Sequence, residues 1–447
     1  MNEPELKPPA VQAALDDNRN YLRAITDMAA GGKVVTHDAV YNDKGIKLLD
    51  KGMRVDASLY DRLVRHKLRG NIEDRLTVDD AVTVHTLMQV ARELCQHDTL
   101  AYLLVHTLDE AGDGTDRLVA PLGRVRLTQQ LGFKLTVMRE QLPAYFTHSV
   151  LMTLVSIYLG LKSGWDDQQC MLLATAALLH DLGVMHMDPA WHDPANKITG
   201  VGRKQLLVHP ITAMLMAREQ KIYPKSVGQA ILEHHEAMDG SGYPRGVPGS
   251  EISPMGQILI VAEVVSAFFE KYADDVPAQR LSLALRLHHR KYPPRLVAHL
   301  LPALQIKAVQ SHIEVSQEQV QAIIGVLSQA FDAWSAQRQQ LPAACFDEEG
   351  GSASLLVAQR LDALQKNLLE AGSHPRQLAE ALPYLVDDAE GLAELALVGR
   401  EALWQLQSII DTVNSRWPEL AEPSGECDSG VAQWRDACMA QMAGLPA

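Results

Sequence analysis

Aromatic side chains are scarce in this chain. Phe, Tyr and Trp make up 5% of its 447 residues, although 47% of the residues are hydrophobic. A core with little aromatic bulk is filled mainly by aliphatic side chains. Leu and Ala are abundant, as are Gln, Glu and Arg, and all five are strong helix formers. The composition therefore predicts a mainly α-helical protein.

Cysteine is also rare, and its spacing carries no motif. The chain has five cysteines, which are Cys95, Cys170, Cys345, Cys427 and Cys438. An odd number without a C-x-x-C pair indicates neither a disulfide framework nor a zinc ribbon. We therefore expect the reducing environment of the cytoplasm.

Positive charge is in deficit, since 41 Lys and Arg face 55 Asp and Glu for a net charge of −14. Proteins that bind duplex nucleic acid neutralise phosphates with clustered Lys and Arg, so duplex DNA or RNA is not an expected partner. No run reaches the roughly 18 uninterrupted apolar residues of a spanning helix, so membrane insertion is not expected. The N-terminus lacks the basic and apolar order of a signal peptide.

The length predicts about two or three domains. We place an N-terminal regulatory module at residues 1–125, a central domain at 126–312 and a helical extension at 313–447. In the first, residues 34–41 and 46–55 flank a turn that contains Gly45, which predicts a β-hairpin followed by helices. In the last, residues 316–341 repeat apolar side chains at helical spacing.

Histidine is concentrated between residues 176 and 249. His180 and Asp181 end an apolar helix, His209 precedes a proline, and His234 is followed by His235. A lone histidine is more often an ordinary core or surface residue, but this joint pattern favours ligands. Imidazole and carboxylate groups hold the divalent metals that activate water. The two oxygens of a carboxylate such as Asp181 can serve two ions.

The surrounding pattern resembles the HD-GYP family of the HD phosphohydrolase superfamily, over about residues 148–304. Its most specific part is a gapped run of His234, His235, Glu236, Asp239, Gly240, Gly242, Tyr243, Pro244 and Gly246. Members of the family hydrolyse the bacterial second messenger cyclic di-GMP. The resemblance implies an HD-type helical bundle as the core, with a small N-terminal α/β module and a helical C-terminal extension.

By position, the resemblance also implies a centre of two divalent transition-metal ions. One ion would be held by His148, His180, Asp181 and Glu263, and the other by Asp181, His209, His234 and His235. Iron or manganese suits such a ligand set, because it contains no thiolate. We expect Asp181 and His235 to act in catalysis.

The residues after His235 have a predicted role as well. Glu236 and Asp239 are expected to accept hydrogen bonds from metal-bound imidazoles. In the family the loop that follows lies beside the active site and is proposed to contact protein partners. A simple tight surface loop is the alternative. The loop residues are Gly240, Gly242, Tyr243 and Pro244.

Three features depart from the family pattern. Val184 stands where a Lys usually follows the Gly of the H-D-x-G-K motif, so a cation near the substrate phosphate is absent. Glu263 replaces an Asp and is one methylene longer, and Ser266 replaces a second Asp. Residues 269–275 replace a basic run, which leaves Lys271 as the predicted substrate-binding cation.

The resemblance therefore implies a metal-dependent cyclic di-GMP phosphodiesterase that yields pGpG, GMP or both. The metals would activate water and neutralise charge on the phosphate. The departures motivate an alternative, a catalytically degenerate signalling module that binds metal or nucleotide and a protein partner. A hydrolase for another phosphoester is a third reading. The sequence leaves a homodimer open.

Overall fold

The computed structural model is mainly α-helical, as the composition predicts, and forms two compact units. The first contains Met1–Asp275 and Arg290–Ile306, and the second contains Val276–His289 and Lys307–Ala447. The N-terminal module and the central domain thus share one unit, and residues 276–289 group with the C-terminal helices. The structure describes residues 19–29, 34–66, 68–96, 99–109, 112–192, 201–271, 277–287, 290–305, 316–346, 352–370, 372–385 and 388–445.

The N-terminal region contains the predicted hairpin. Helix α1 (Arg19–Ala29) is followed by β1 (Val34–Thr36), β2 (Val40–Tyr41), β3 (Lys47–Leu49), α2 (Tyr60–Val64) and β4 (Leu76–Val78). Strands β2 and β3 pair antiparallel, with Val40 opposite Leu49, and Gly45 in their turn has φ of 78°. The strands are shorter than predicted. Strand β1 bridges to Arg54 in the second arm of the predicted hairpin, and it also pairs with β4, which a local sequence pattern does not reveal.

The other helices of the first unit build the bundle. They are α3 (Val84–Leu94), α4 (Leu100–Leu108), α5 (Gly114–Gly123), α6 (Gln129–Gln141), α7 (Pro143–Lys162), α8 (Asp167–Leu179), α9 (Val201–Glu219), α10 (Lys225–Glu233), α11 (Pro254–Lys271) and α13 (Pro294–Gln305). Helix α7 packs against α8 and α11, and α10 packs against α9 and α11. Asp166 begins α8 by accepting a hydrogen bond from the amide of Gln169, which satisfies one of the free amides of that end.

Helix α7 is long and apolar enough to cross a membrane by length and composition. However, 78% of its most apolar window is buried inside the protein. Such burial is typical of the core helix of a bundle, which is apolar on every side because neighbours surround it.

Helix α9 differs from its prediction. The sequence predicts a helix that begins after His209, but the helix begins at Val201 and carries Pro210 in its interior. A short turn of 3₁₀ helix, Leu182–His186, packs against it. A Cβ atom on Gly183 would lie 2.2 Å from the carbonyl oxygen of His209. Only glycine allows this close approach, which brings Asp181 next to His209.

The second unit is helical and has its own core. Its helices are α12 (Pro277–Leu287), α14 (Gln317–Gln340), α15 (Ala353–Glu370), α16 (Pro375–Ala381), α17 (Ala389–Arg416) and α18 (Glu426–Ala443). Ser316 caps α14, so the helix predicted for residues 316–341 is confirmed. Trp334 and Trp434 meet edge to face in this core, and the Trp434 indole nitrogen donates to the Ala330 carbonyl at 3.0 Å.

Cys345 and Cys427 form a disulfide, which the spacing of the cysteines does not predict. Their Cα atoms are 5.5 Å apart, although 82 residues separate the two in sequence. The expectation that the cysteines carry no disulfide is wrong here, because only the packing of the second unit brings this pair together. The cysteine pattern therefore no longer supports a reducing environment.

A buried ion pair joins the N-terminal region to the bundle. Lys134 of α6 pairs with Glu73 of the short turn Ile72–Arg75, and both side chains are buried. The Lys134 ammonium also lies 4.2 Å from the centroid of the Tyr21 ring on α1. Each of these buried charges is stabilised by the other. Removing one would leave the other buried without an opposite charge.

Glu73→Ala should lower the free energy of unfolding of the first unit by about 3–5 kcal/mol, because it leaves the Lys134 charge buried and unpaired. The double variant Glu73→Leu with Lys134→Met should be close to wild type. Urea unfolding measures both. As a control, Asp116→Ala breaks the exposed Arg92–Asp116 pair and should cost less than about 1 kcal/mol. A loss for Glu73→Ala no larger than this control would contradict the prediction.

Candidate metal centre

Three histidines of the predicted set are oriented by their own helices. Nδ1 of His180 donates to the Ala177 carbonyl at 2.7 Å, Nδ1 of His209 to Leu206 at 2.6 Å, and Nδ1 of His234 to Ile231 at 2.6 Å. In each pair the acceptor lies three residues before the histidine. The proton is thereby fixed on Nδ1, and the Nε2 of a neutral ring is left as a ligand atom.

The backbone explains why these carbonyls are available. His180 and His234 are the C-terminal caps of α8 and α10, where the last carbonyls of a helix have no helical donor. His209 lies inside α9, but Pro210 follows it and has no amide hydrogen to give to the Leu206 carbonyl. Helix ends and one proline thus create the acceptors that orient the three rings.

The remaining predicted ligands approach from α7 and α11. Nε2 of His148 lies 3.0 Å from Oε2 of Glu263, and Nε2 of His180 lies 3.4 Å from the same oxygen. His148, His180 and Glu263 form one group in which the ligand atoms lie within 4.8 Å of one another. His209, His234 and His235 form a second such group.

Asp181 lies between the two groups. Its Oδ2 is 3.3 Å from Nε2 of His180, whereas its Oδ1 is 3.2 Å from Nε2 of His209 and 3.9 Å from Nε2 of His234. The two oxygens therefore face different histidines. A bridging carboxylate in a two-metal centre needs this arrangement.

The Nε2 atoms of His180, His209 and His234 are better placed to bind a cation than to hydrogen-bond with one another. Nε2 of His180 is buried near the carboxylates of Asp181 and Glu263, but among the described residues no partner meets it with hydrogen-bond geometry. Nε2 of His209 lies 3.2 Å from Nε2 of His234, while the Nδ1 atom of each ring donates to a carbonyl. When the proton of each neutral ring is on Nδ1, the Nε2 lone pairs of both rings face the same space. A metal ion satisfies them together, so the residues fit the group that the motif predicts.

The two groups differ in their electrostatics. Burial disfavours the charged forms of His148 and His180, but nearby carboxylates outweigh it and raise the pKa of His148 well above its usual value and that of His180 to about 9. The same contacts hold the pKa values of Asp181 and Glu263 well below their usual range, against the effect of burial. Without a metal, these shifts favour the imidazolium forms of His148 and His180 and the carboxylate forms of Asp181 and Glu263.

The second group is neutral by contrast. Burial, helped by the neighbouring histidines, lowers the pKa of His234 well below its usual value, and burial lowers the pKa of His235 to about 4. Neutral imidazole is the form that binds a metal. This half is thus prepared to accept an ion without losing protons from these two rings.

The loop after His235 is held by backbone contacts. The Glu236 carboxylate accepts from the amides of Arg245 at 2.8 Å and Gly246 at 3.0 Å, and Asp239 accepts from the amide of Ser241 at 3.0 Å. Neither carboxylate receives an imidazole hydrogen bond among the described residues. Glu236 and Asp239 therefore bind loop amides and not the predicted imidazoles. Backbone carbonyls already orient His180, His209 and His234.

Tyr243 lies directly on the metal centre. Its ring stacks on His235, with centroids 4.6 Å apart and planes at 25°, and its amide donates to the His235 carbonyl. A Cβ atom on Gly242 would lie 2.4 Å from the backbone of Glu236, so glycine is required where the chain turns back. The peptide bond from Tyr243 to Pro244 is cis, and Gly240 has φ of 77°.

The departures from the motif have structural consequences. Val184 is buried at 2% exposure, so its side chain fills the core beside α9 and leaves no cation there. The Ser266 hydroxyl is buried, and none of the described residues is its hydrogen-bond partner. Lys271 is exposed and is the last residue of α11.

Two residues at the centre, Glu270 and Tyr145, lie outside the motifs. Oε2 of Glu270 lies 3.0 Å from Nδ1 of His148. Tyr145 is half-buried one turn before His148, and its pKa is raised by burial and by the charges of Asp181 and Glu263. The helical spacing from His148 could have indicated Tyr145. Nothing local indicates Glu270, because its contact crosses between helices.

Metal binding to the two groups should release different numbers of protons. At pH 7 the raised pKa values keep His148 and His180 protonated, so an ion entering their group must displace about two protons. The affinity of this group should rise with pH toward about 9, where His180 loses its proton unaided. His234 and His235 are already neutral and should release none.

Calorimetric titration in two buffers of different ionisation enthalpy counts these protons. Manganese should bind in two steps that differ in proton release. Equal release in both steps would show that the two halves do not differ in charge as described.

Known proteins resemble the central part of this chain. Residues 135–291 match the HD domain family. The chain is 28% identical over 166 residues to 3'3'-cGAMP-specific phosphodiesterase 3 of Vibrio cholerae, which covers 36% of this chain and 35% of that protein. It is 26% identical over 123 residues to the cyclic di-GMP phosphodiesterase PdeB of Borreliella burgdorferi, covering 28% of this chain and 32% of that protein.

A further relative and one solved structure are also similar to this chain. A cyclic di-GMP phosphodiesterase of Pseudomonas aeruginosa is 30% identical over 123 residues, 27% of this chain and 30% of that protein. The solved structure of an HDG"Y"P protein from Bdellovibrio bacteriovorus has a TM-score of 0.34 and 19% identity, covering 61% of this chain and 95% of that chain. The chain spans about a third of the length of the curated relatives. Residues 135–291 therefore match the HD domain family, and the similar proteins are cyclic-dinucleotide phosphodiesterases, in agreement with the motifs.

Proposed function

We propose that this protein is a metal-dependent phosphodiesterase that hydrolyses a cyclic dinucleotide, and that the substrate is cyclic di-GMP. One observation carries the proposal. Two groups of ligand atoms lie on either side of Asp181, and each oxygen of this carboxylate faces one group. Relatives that act on cyclic di-GMP or 3'3'-cGAMP support the substrate class.

The residues present would hold two divalent ions, and iron or manganese suits their imidazole and carboxylate atoms. His148, His180 and Glu263 would hold one ion, His209, His234 and His235 the other, and Asp181 both. Bound metals supply an activated water and neutralise charge on the phosphate.

The protein's own groups would position the substrate. Tyr243 stacks on His235 and so places an aromatic ring beside the centre, where a nucleobase or ribose would lie against it. Glu236 keeps this ring in place by binding the amides of the loop. Lys271 is the cation that we propose to contact a substrate phosphate, since Val184 carries no charge.

A signalling module without catalysis is the second candidate. The buried, uncharged side chain of Val184 favours it, because the position lacks the usual cation that contacts phosphate. Such a module would bind metal or nucleotide at the same ligands, and the loop around Tyr243 would contact a protein partner.

Asp181→Ala should remove metal from both groups, because only a bridging carboxylate serves two ions. His235→Ala should mainly weaken the second group. Elemental analysis after anaerobic purification gives the stoichiometry of each variant. His85→Ala, which removes an exposed histidine outside the cluster, is the control and should keep both ions. Equal metal loss in Asp181→Ala and His235→Ala would contradict the bridging role.

Wild-type protein loaded with manganese should convert cyclic di-GMP to pGpG, GMP or both, and Asp181→Ala should not. Chromatography of the products checks this, with 3'3'-cGAMP as the competing substrate. Preference for 3'3'-cGAMP would correct the substrate but keep the reaction. Binding of the dinucleotide without turnover, with both metals present, would establish the signalling module instead.

A further inference from the structure

We propose that Glu270 is the positioning residue for His148, and that its carboxylate holds Nδ1 so that Nε2 faces the first metal group. This inference rests on the metal-dependent function proposed above. It concerns a residue that lies outside the ligand motifs, at the end of α11.

His148 cannot be oriented in the way that the other histidines are. The carbonyl three residues before it belongs to Tyr145, and this oxygen accepts from the Ser149 hydroxyl at 2.9 Å. His148 also lies inside α7, away from the free carbonyls of a helix end. Its Nδ1 atom therefore needs an acceptor from elsewhere in the fold.

Glu270 supplies this acceptor from a neighbouring helix. Its Oε2 lies 3.0 Å from Nδ1 of His148, and Oε2 of Glu263 lies 3.0 Å from Nε2 of the same ring. Glu263 and Glu270 are seven residues apart on α11, which places them about two turns apart on one face. Helix α11 thus contacts both nitrogens of the His148 ring. Glu263 lies at Nε2 as a metal ligand, and Glu270 lies at Nδ1 as a hydrogen-bond acceptor.

The two nitrogens of the His148 ring have different roles in metal binding. A histidine that binds a metal through Nε2 must be neutral, and its single proton is then on Nδ1. An acceptor at Nδ1 fixes this tautomer and the ring orientation and makes Nε2 a stronger donor to the metal. The Glu270 carboxylate is in place for this.

No other group on this face of α11 does the same. Ser266 lies one turn before Glu270, but its hydroxyl makes no hydrogen bond within the part of the chain that the structure describes. The Glu263 carboxylate lies at the ligand nitrogen instead. The Glu270 side chain is 40% exposed, so solvent weakens its hold and a moderate effect on metal affinity is expected.

The test compares Glu270→Ala and Glu270→Gln with wild type. Mn²⁺ alone is titrated into metal-free full-length protein, and electron paramagnetic resonance measures the free ion. Glu270→Ala should weaken one of two sites by about tenfold and leave the other unchanged. Glu270→Gln keeps a carbonyl acceptor for Nδ1 and should retain most of the affinity. Glu251→Ala removes an exposed carboxylate of the same domain and should change neither site.

A spectroscopic measurement separates positioning from a general structural role. In zinc-loaded protein labelled with ¹⁵N-histidine, His148 should be the Nδ1-protonated tautomer in wild type and Glu270→Gln. The Nδ1 proton of His148 should exchange faster with water in Glu270→Ala, while that of His180 should not change.

The outcomes are distinguishable. Wild-type Mn²⁺ affinity at both sites of Glu270→Ala would overturn the role of Glu270 and leave the proposed function standing. Equal weakening of both sites in Glu270→Ala and Glu270→Gln would also overturn it, because the contact would then support the fold in general. A wild-type protein that binds no Mn²⁺ would remove the metal centre itself and the inference with it.

Discussion

The hydrogen bond from a histidine Nδ1 atom to the carbonyl three residues before it is the interaction on which the metal centre depends. It recurs at His180, His209 and His234. Each instance requires a carbonyl that the helix does not use, and two helix ends and Pro210 provide them. The points at which the helices end or lose an amide therefore decide where the ligand nitrogens point.

Close backbone packing then brings these rings together. Gly183 allows the turn after Asp181 to touch the His209 carbonyl, so ligands from α8 and α9 meet although they are distant in sequence. Helices α7 and α11 close the other side with His148 and Glu263. Because both oxygens of Asp181 are engaged by histidines on different sides, a shift of either helix would separate the two halves of the centre.

The sequence predicts much of this arrangement because the relevant patterns are local. The helical class, the hairpin at Gly45 and the helix after Ser316 follow from composition, turn residues and periodicity. The ligand residues stand in a gapped motif, and the fold brings them within reach of one another.

What the sequence does not predict depends on contacts between distant segments. The pairing of β1 with β4 and the disulfide from Cys345 to Cys427 are tertiary events with no local signal. Glu270 was missed for the same reason, since its partner lies on another helix. The predicted acceptors Glu236 and Asp239 bind loop amides instead, because backbone carbonyls had already met the need of the imidazoles.

The departures from the family pattern affect the two halves of the proposed chemistry unequally. Glu263 keeps a carboxylate at His148, so the longer side chain leaves the ligand group intact. Val184 stands in place of a cation and is a buried apolar side chain, so this position carries no charge. In the proposed function, metal binding and phosphate recognition thus depend on different residues. A metal centre with weakened phosphate contacts should still activate water, and the cost should fall mainly on substrate affinity.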